Sequence, residues 1–240
     1  MSISKRRLAA LISASASTAA AIFEAWIERV ISGLEFPLII ASNHEAGSAL
    51  AKFRKHPQFP KYVVVDRKEF PKGLAGCEPF NAALVPHLRA SGVDVIGMYG
   101  FDPFLTQEVL NLTPDIYNQH PDIVPYFGGP GMTGQRVPCA RLHFARKVGH
   151  DLCVQPVTHR AIADIDMGEI VQMGYVPILD GDTCGSLYAR VKIEERKVQI
   201  GFLQDLCNGQ VQVRNQSPIL AHEEAILEWA KQTAIEHKHD

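Results

Sequence analysis

Asn118, Gln119, His120 and Pro121 follow one another as N-Q-H-P. In an extended chain residues two apart point the same way, so Asn118 and His120 project together. Pro121 biases His120 toward that extended shape. An amide donor beside an imidazole suits acyl transfer. The amide can stabilise the oxyanion of a tetrahedral intermediate, an effect of roughly 100- to 1000-fold. The imidazole can relay the proton lost by an attacking amine, an effect of roughly 100- to 10,000-fold. Alone, N-x-H-P equally describes a histidine that merely ends a strand. Further along, His159 opens the run H-R-A-I-A-D-I-D-M-G-E-I, which places Asp164 and Asp166 in an acidic link between two strand-like segments. Between the two motifs lies G-G-P-G-M-T-G at 128–134. It lacks the lysine and the strand-loop-helix frame of a phosphate loop. Its paired glycines suit a mobile lid beside a site.

The first half of the chain supplies a scaffold for these residues. Short apolar runs at 8–12, 36–41, 62–65, 93–97 and 116–118 read as strands, with helical patterns near 18–32, 46–56, 76–91 and 104–110. Such alternation implies a parallel sheet wrapped by helices. Sheets of that kind bind ligands at the carboxyl ends of their strands, where Asn118 and His120 fall. In the second half a helix is expected near 135–147. Two strand-like runs follow at 152–163 and 169–176, then a long helix over 187–206. Ser217 and Pro218 offer an N-cap and a first-turn proline for a terminal helix. Its stripe of Ile226, Trp229, Ala230 and Thr233 should pack on the body. The tail H-K-H-D reads as a solvated end. The expected fold class is α/β: a mostly parallel twisted sheet flanked by helices, with an antiparallel hairpin in the C-terminal half, in a single domain.

Composition narrows the partners. The 240 residues are 46% hydrophobic, enough for one substantial core. With a formal net charge of -2 and no basic run, nucleic acid is not expected to bind. No apolar run is long enough to span a membrane. Lys5-Arg6-Arg7 followed by L-A-A-L-I-S-A-S-A imitates a signal peptide. The apolar run stops at Ile12, however, and the chain continues into a stripe of Ile22, Phe23, Trp26, Ile27, Val30 and Ile31. A strand, a turn and an amphipathic helix are expected instead. Cys77, Cys139, Cys153, Cys184 and Cys207 never form C-x-x-C. That pattern suits a reducing, cytoplasmic compartment and offers no zinc or disulfide framework.

Together, N-x-H-P-D-x-x-P, the Gly-rich stretch and H-x(6)-D-x-G-x-I resemble the folate-dependent formyltransferase family, over about residues 6–209 and most strongly over 93–196. Within it, the pattern is most similar to the enzymes of purine biosynthesis that formylate glycinamide ribonucleotide. The resemblance implies a Rossmann-like formyltransferase fold with Asn118, His120 and Asp166 as catalytic triad. His120 would act as acid–base and Asn118 would hold the formyl oxygen. Asp166 would favour the imidazolium and order a proton-relaying water. The implied formyl donor is 10-formyltetrahydrofolate, attacked directly by the amine without a covalent intermediate or a metal. No cysteine falls in these motifs. Residues 1–110 would form an amine- and phosphate-binding half, 111–209 a catalytic and folate-binding half, and 210–240 a C-terminal strand and helix. The implied partners are glycinamide ribonucleotide and a reduced folate, with the protein a monomer or homodimer.

Substrate contacts carry over residue by residue. The turn at 13–18, S-A-S-A-S-T, lies between the first strand and first helix, where backbone N–H groups and the helix dipole attract phosphate. The family has a Gly-rich turn there, similar to S-G-N-G-S-N. Ala14 and Ala16 stand at its glycine positions, which makes positive φ harder. The hydroxyls of Ser15, Ser17 and Thr18 can still donate, while a plain helix cap by Ser17 is the alternative. Lys192 and Glu195 share a helix face. They match family positions that touch the substrate phosphate and ribose; without the resemblance they read as a solvated face. For folate, G-F-D-P-F-L at 100–105 departs from G-F-M-R-I-L, with Pro103 in place of the arginine. Leu105, Ala161, Ile162 and Ala163 would line an apolar pterin pocket. Pro138 stands where relatives often carry histidine. The altered turn leaves open a nucleotide-linked amino sugar as acceptor. Water as acceptor, giving a hydrolase, and a non-catalytic folate- or nucleotide-binding homologue also stay open.

Overall fold

Leu8, Ala9, Ala10, Leu11 and Ile12 are all fully buried, as the residues of a central parallel strand covered on both faces should be. They belong to β1 (Arg6–Ile12), which pairs in parallel with β2 (Leu34–Ala41) and β4 (Val95–Met98). β3 (Lys61–Val64) extends the sheet beside β2, and β5 (Ile116–His120) beside β4, both parallel. β7 (Val157–Arg160) and β8 (Ile170–Met173) form the expected antiparallel hairpin, with Val157 opposite Met173. The strand order is β3-β2-β1-β4-β5-β7-β8. A second sheet of two antiparallel strands pairs β6 (Cys153–Val154) with β9 (Val176–Pro177). The runs expected as continuous strands at 152–163 and 169–176 are therefore each split. Pro156 has no N–H to give a ladder, and Gly174 leaves the strand to donate to Pro156 O at 2.8 Å.

This is a computed structural model, and it describes residues 5–236. The H-K-H-D tail lies outside the described residues. The chain divides into two compact units. The first takes in residues up to 118, with 160–163 and 200–210. Its helices are α1 (Ser17–Ile27), α2 (Cys77–Ala90) and α3 (Gln107–Leu110). Leu11, Leu38, Ile40, Phe80, Leu84 and Ile96 form its core. α1 ends at Ile27, short of Val30 and Ile31 in the expected stripe, because Arg29 turns left-handed at φ 63°. Val30 is consequently 48% exposed, while Ile31 is buried. The helix expected near 46–56 is a 3-10 turn over Ser48–Phe53. Gly47 introduces it at φ 83°, where an added Cβ would lie 2.8 Å from the Tyr62 hydroxyl.

The second unit takes in 119–159, 164–199 and 211 onward. It contains α4 (Arg136–Val148), most of α5 (Cys184–Cys207) and α6 (Glu224–Glu236). Phe127, Val137, Phe144, Leu227, Ala230 and Ala234 pack its core. α5 begins earlier than expected because Thr183 and Ser186 cap it reciprocally. Thr183 N donates to Ser186 Oγ at 3.0 Å, and Ser186 N donates to Thr183 Oγ1 at 3.1 Å. The terminal helix is not capped by Ser217. Residues 210–220 form no strand, and a 3-10 turn over Ala221–Glu223 leads into α6. Its buried face is Leu227, Ala230 and Ala234, so Trp229 stays 47% exposed instead of packing inward. The cysteines also depart from expectation. Cys139 of α4 and Cys184 at the start of α5 form a disulfide, with Cα atoms 4.7 Å apart and a sequence separation of 45. Only the packing of the two helices makes that pair. No described helix is long and apolar enough to cross a membrane.

An ion pair sits inside the second unit. Asp122 and Arg141 are both fully buried. Arg141 Nε and Nη2 meet the two Asp122 oxygens at 2.7 and 3.0 Å, a bidentate fork. Asp122 also accepts from the backbone N–H groups of Ile123 and Gln155 at 2.8 and 3.0 Å. Arg141 pairs with Asp151 as well and lies 4.0 Å over the Phe127 ring. Burial opposes the guanidinium charge, but the two carboxylates outweigh it and hold Arg141 above its ordinary pKa. Removing one partner strands a buried charge. Arg141→Met should destabilise the protein by about 3–5 kcal/mol in urea unfolding, and adding Asp122→Asn should recover a large part of the loss.

Candidate active site

His120 ends β5 and is 4% exposed. Its Nδ1 lies 2.8 Å from the carbonyl oxygen of Asp122, which can only accept, so Nδ1 carries the hydrogen. The Asp122 N–H also approaches Nδ1, at 3.4 Å; the shorter contact sets the tautomer. Nε2 is then the nitrogen open to a proton. It faces the Met132 carbonyl at 3.4 Å and Asp166 Oδ2 at 4.0 Å. Once Nε2 is protonated, both ring N–H groups point at oxygens. The lock on this ring is Asp122, whose side chain Arg141 holds.

Asp166 lies in the link between β7 and β8, in the left-handed region at φ 54°. Aspartate tolerates that conformation better than most residues, yet strain of this kind gathers at functional sites. Its side chain is 10% exposed and is paired on every side the structure describes. Oδ2 accepts from Gly129 N at 2.9 Å, and Oδ1 lies 3.5 Å from His159 Nε2. The Gly-rich stretch is thus packed against Asp166. At Gly128 an added Cβ would lie 2.7 Å from Asp166 Cβ, so glycine is required where the chain passes. Met132 is 1% exposed. His159, 2% exposed, was legible only as the first residue of its motif, and its place beside Asp166 makes it part of the site. A histidine near the end of a strand-like run, seven residues before Asp166, was the available signal.

Gln119 lies between Asn118 and His120, so on an extended strand it points to the other side. There it hydrogen-bonds Glu195 of α5, while its Oε1 is buried without a partner among the described residues. Glu195 is 5% exposed, which is far from a solvated helix face. Burial pushes its carboxyl up to about 7, against the lowering effects of the Gln119 hydrogen bond and of Lys192 and Arg196. Lys192 is half-buried, its ammonium 4.7 Å over the Tyr188 ring.

The remaining expected residues lie in the first unit. Asn118 is half-buried on β5, opposite Met98 of β4. Ser15 is exposed, Ser17 half-buried and Thr18 6% exposed. Ala16 takes the N-cap position at φ 58°, so the alanine adopts the conformation that a glycine would reach more easily. No side chain caps this helix, so Ser17 does not. The N-terminal N–H groups of α1 therefore keep the donors that bind anions. Ala14 O and Ser15 O accept from Gly47 N and Ala49 N at 2.8 and 3.0 Å, fixing the turn. Leu105 and Ala161 are half-buried against the core of this unit. Ala161 N is committed to Ile116 O at 2.8 Å, whereas Ile162 is 46% exposed and Ala163 is exposed. Pro138 is buried in the first turn of α4, where a missing N–H takes no helical hydrogen bond away.

A buried histidine that ends a strand of a mostly parallel, helix-flanked sheet and faces a carboxylate is an arrangement able to move protons. The chain belongs to the formyl transferase family, whose model matches residues 6–203. It is 26% identical over 212 residues to a chloroplastic phosphoribosylglycinamide formyltransferase of Vigna unguiculata, a match that covers 88% of this chain and 64% of that protein's own length. Among solved structures, it is similar to glycinamide ribonucleotide transformylase 1 from Symbiobacterium toebii, with a TM-score of 0.72 and 25% identity over 88% of this chain and 95% of that one. Phosphoribosylglycinamide formyltransferase from Brucella melitensis gives a TM-score of 0.69 and 26% identity, covering 88% of this chain and all of the other.

Glu195 makes a test of the burial argument. Its folded pKa of about 7 lies above the ordinary 4.5, so between those values the folded chain holds a proton that the unfolded chain has released. Stability should therefore fall as pH rises through that window, by on the order of 3 kcal/mol. Glu195→Gln keeps the acceptor for Gln119 without the charge. Urea unfolding at pH 5 and pH 8 should show a decline in the wild type and a flat response in the variant.

Proposed function

We propose that this protein transfers the formyl group of 10-formyltetrahydrofolate to the amine of glycinamide ribonucleotide in de novo purine biosynthesis. The observation that carries this assignment is the His120 ring, with Nδ1 fixed and Nε2 facing Met132 O and Asp166. The amine nitrogen attacks the formyl carbon, and the carbonyl oxygen takes up the charge. Asn118, two residues before His120 on the same strand, donates its amide to that oxyanion. His120 Nε2 accepts the proton shed by the attacking nitrogen, and the imidazolium finds both its N–H groups supplied with acceptors. The same proton then goes to the folate nitrogen as the C–N bond breaks, so the enzyme ends as it began. Asp166 stabilises the cation and orders the water that relays the proton. The scheme uses no metal and no thiol.

The substrate contacts follow the same division of labour. The uncapped N-terminus of α1 holds the phosphate, with the Ser15 and Ser17 hydroxyls beside it. Thr18 contributes its backbone N–H, since its side chain is buried. The left-handed Ala16 supports this assignment, because it preserves a turn that glycine makes in relatives. Lys192 pairs with the phosphate and Glu195 accepts from the ribose hydroxyls. Leu105, Ala161, Ile162 and Ala163 line the pterin, with the exposed Ile162 as the apolar contact. A cytoplasmic location belongs to the same proposal.

The test is release of tetrahydrofolate from 10-formyltetrahydrofolate, followed by absorbance with and without glycinamide ribonucleotide. Release that requires the ribonucleotide is the expected result. Release without any amine would make the protein a hydrolase, and release only with a nucleotide-linked amino sugar would reassign the acceptor. His120→Ala should lower kcat by roughly 100- to 10,000-fold with an unchanged circular dichroism spectrum; full activity in that variant would remove His120 from its role.

A further inference from the structure

One side-chain cluster in the second unit takes no part in this chemistry. Cys139 and His143 stand one turn apart on α4 and so share a face. Cys139 is fully buried, His143 half-buried, and Cys139 Sγ lies 3.6 Å from His143 Nε2. Cys184 completes the group from the first position of α5, and the ligand atoms of all three lie within 4.8 Å of one another. The two sulfurs are joined as a disulfide in this structure. We propose that, once that bond is reduced, Cys139, His143 and Cys184 form a binding site for a thiophilic d10 cation of the zinc(II) class.

The donor set supports the choice of ion. Two thiolates and an imidazole are soft to borderline ligands, which select zinc or copper(I) over calcium, magnesium or manganese. Spacing supports it too. Bond lengths of about 2.3 Å to sulfur and about 2.0–2.1 Å to nitrogen at a tetrahedral centre place the two donors about 3.6 Å apart. Cys139 and His143 already stand at 3.6 Å. Cys184 is held in place before any ion arrives. The Thr183–Ser186 cap fixes the turn that carries it, and Asp182 in the same turn is bound by Arg190 and accepts from Ser186 Oγ at 2.8 Å. The Trp229 ring packs 6.0 Å from that of His143 and screens it. Three protein ligands leave a fourth position for water or an outside ligand.

The steps balance. A thiol or phosphine reductant supplies two electrons, the S–S bond opens, and two protons from solvent give two thiols. The cation then displaces both protons, so binding strengthens as pH rises. In the experiment, full-length protein is reduced with a phosphine, desalted without oxygen, and titrated with cobalt(II), then zinc(II). The expected result is one cobalt per chain with a thiolate-to-metal charge-transfer band, displaced by zinc. Cys139→Ser, Cys184→Ser and His143→Ala should each weaken binding at least about tenfold, while Cys207→Ser should leave it unchanged. Wild-type protein with the disulfide kept closed provides a comparison that needs no variant, and it should bind no cobalt at this band. Failure of the reduced wild type to bind either metal would overturn the proposal and leave the pair as a disulfide alone. Binding that persists in the double cysteine variant would overturn it as well.

Discussion

A carboxylate taken nearly out of water must find partners, and Asp166 of the second unit gathers its surroundings around that need. At 10% exposure, a carboxylate without partners would be strongly destabilising. Three partners answer that: the Gly129 N–H, the His159 ring and, at longer range, His120. Each explains a piece of sequence. The hairpin link is short and acidic because Asp166 must turn left-handed between β7 and β8. The glycine pair exists because the chain passes Asp166 too closely for a Cβ and presents an N–H to it. His159 precedes the link because the carboxylate needs a second donor. What reads in sequence as three separate motifs is the surroundings of one side chain.

Asp122, Asp166 and Glu195, three carboxylates of this unit with little exposure, are handled in three ways. Asp122 has a full cation in the fork from Arg141, and its backbone carbonyl fixes the His120 tautomer. Asp166 has polar N–H donors and a titratable ring, which lets it respond when a proton arrives. Glu195 has mainly an amide, Gln119, and its environment drives the carboxyl toward the neutral form. A neutral or easily neutralised acid can both give and accept a hydrogen bond. Side-chain identity alone would have put all three in one class.

Much of the scaffold was legible because period and propensity agree there. The runs at 8–12 and 36–41 are apolar throughout, so the parallel sheet followed. Where tertiary contacts outweigh pattern, the sequence misled. Small residues decided α6: Ala230 and Ala234 let it approach the core closely, and the amphipathic Trp229 was left outside. Pro156 and Gly174 broke strands whose hydrophobicity ran on. The disulfide was invisible because Cys139 and Cys184 meet only through helix packing. Asn118 and His120 stood out by type and spacing, and Asp166 through the family resemblance. His159 did not, since a buried histidine looks the same in sequence whether it fills a core or supports a carboxylate. Nor could any pattern show that Ala16 would accept a glycine-like conformation.

The most direct test of Asp166 as the organising charge is steady-state formyl transfer by Asp166→Asn beside the wild type, with the ribonucleotide and the folate varied in turn. Asparagine can keep the acceptor for the Gly129 N–H while it removes the charge and puts an amide NH2 where Oδ1 faces His159. The account predicts a kcat lower by roughly 100-fold or more, KM values for both substrates within a few-fold of wild type, and an unchanged unfolding midpoint. A variant that turns over at the wild-type rate would contradict it.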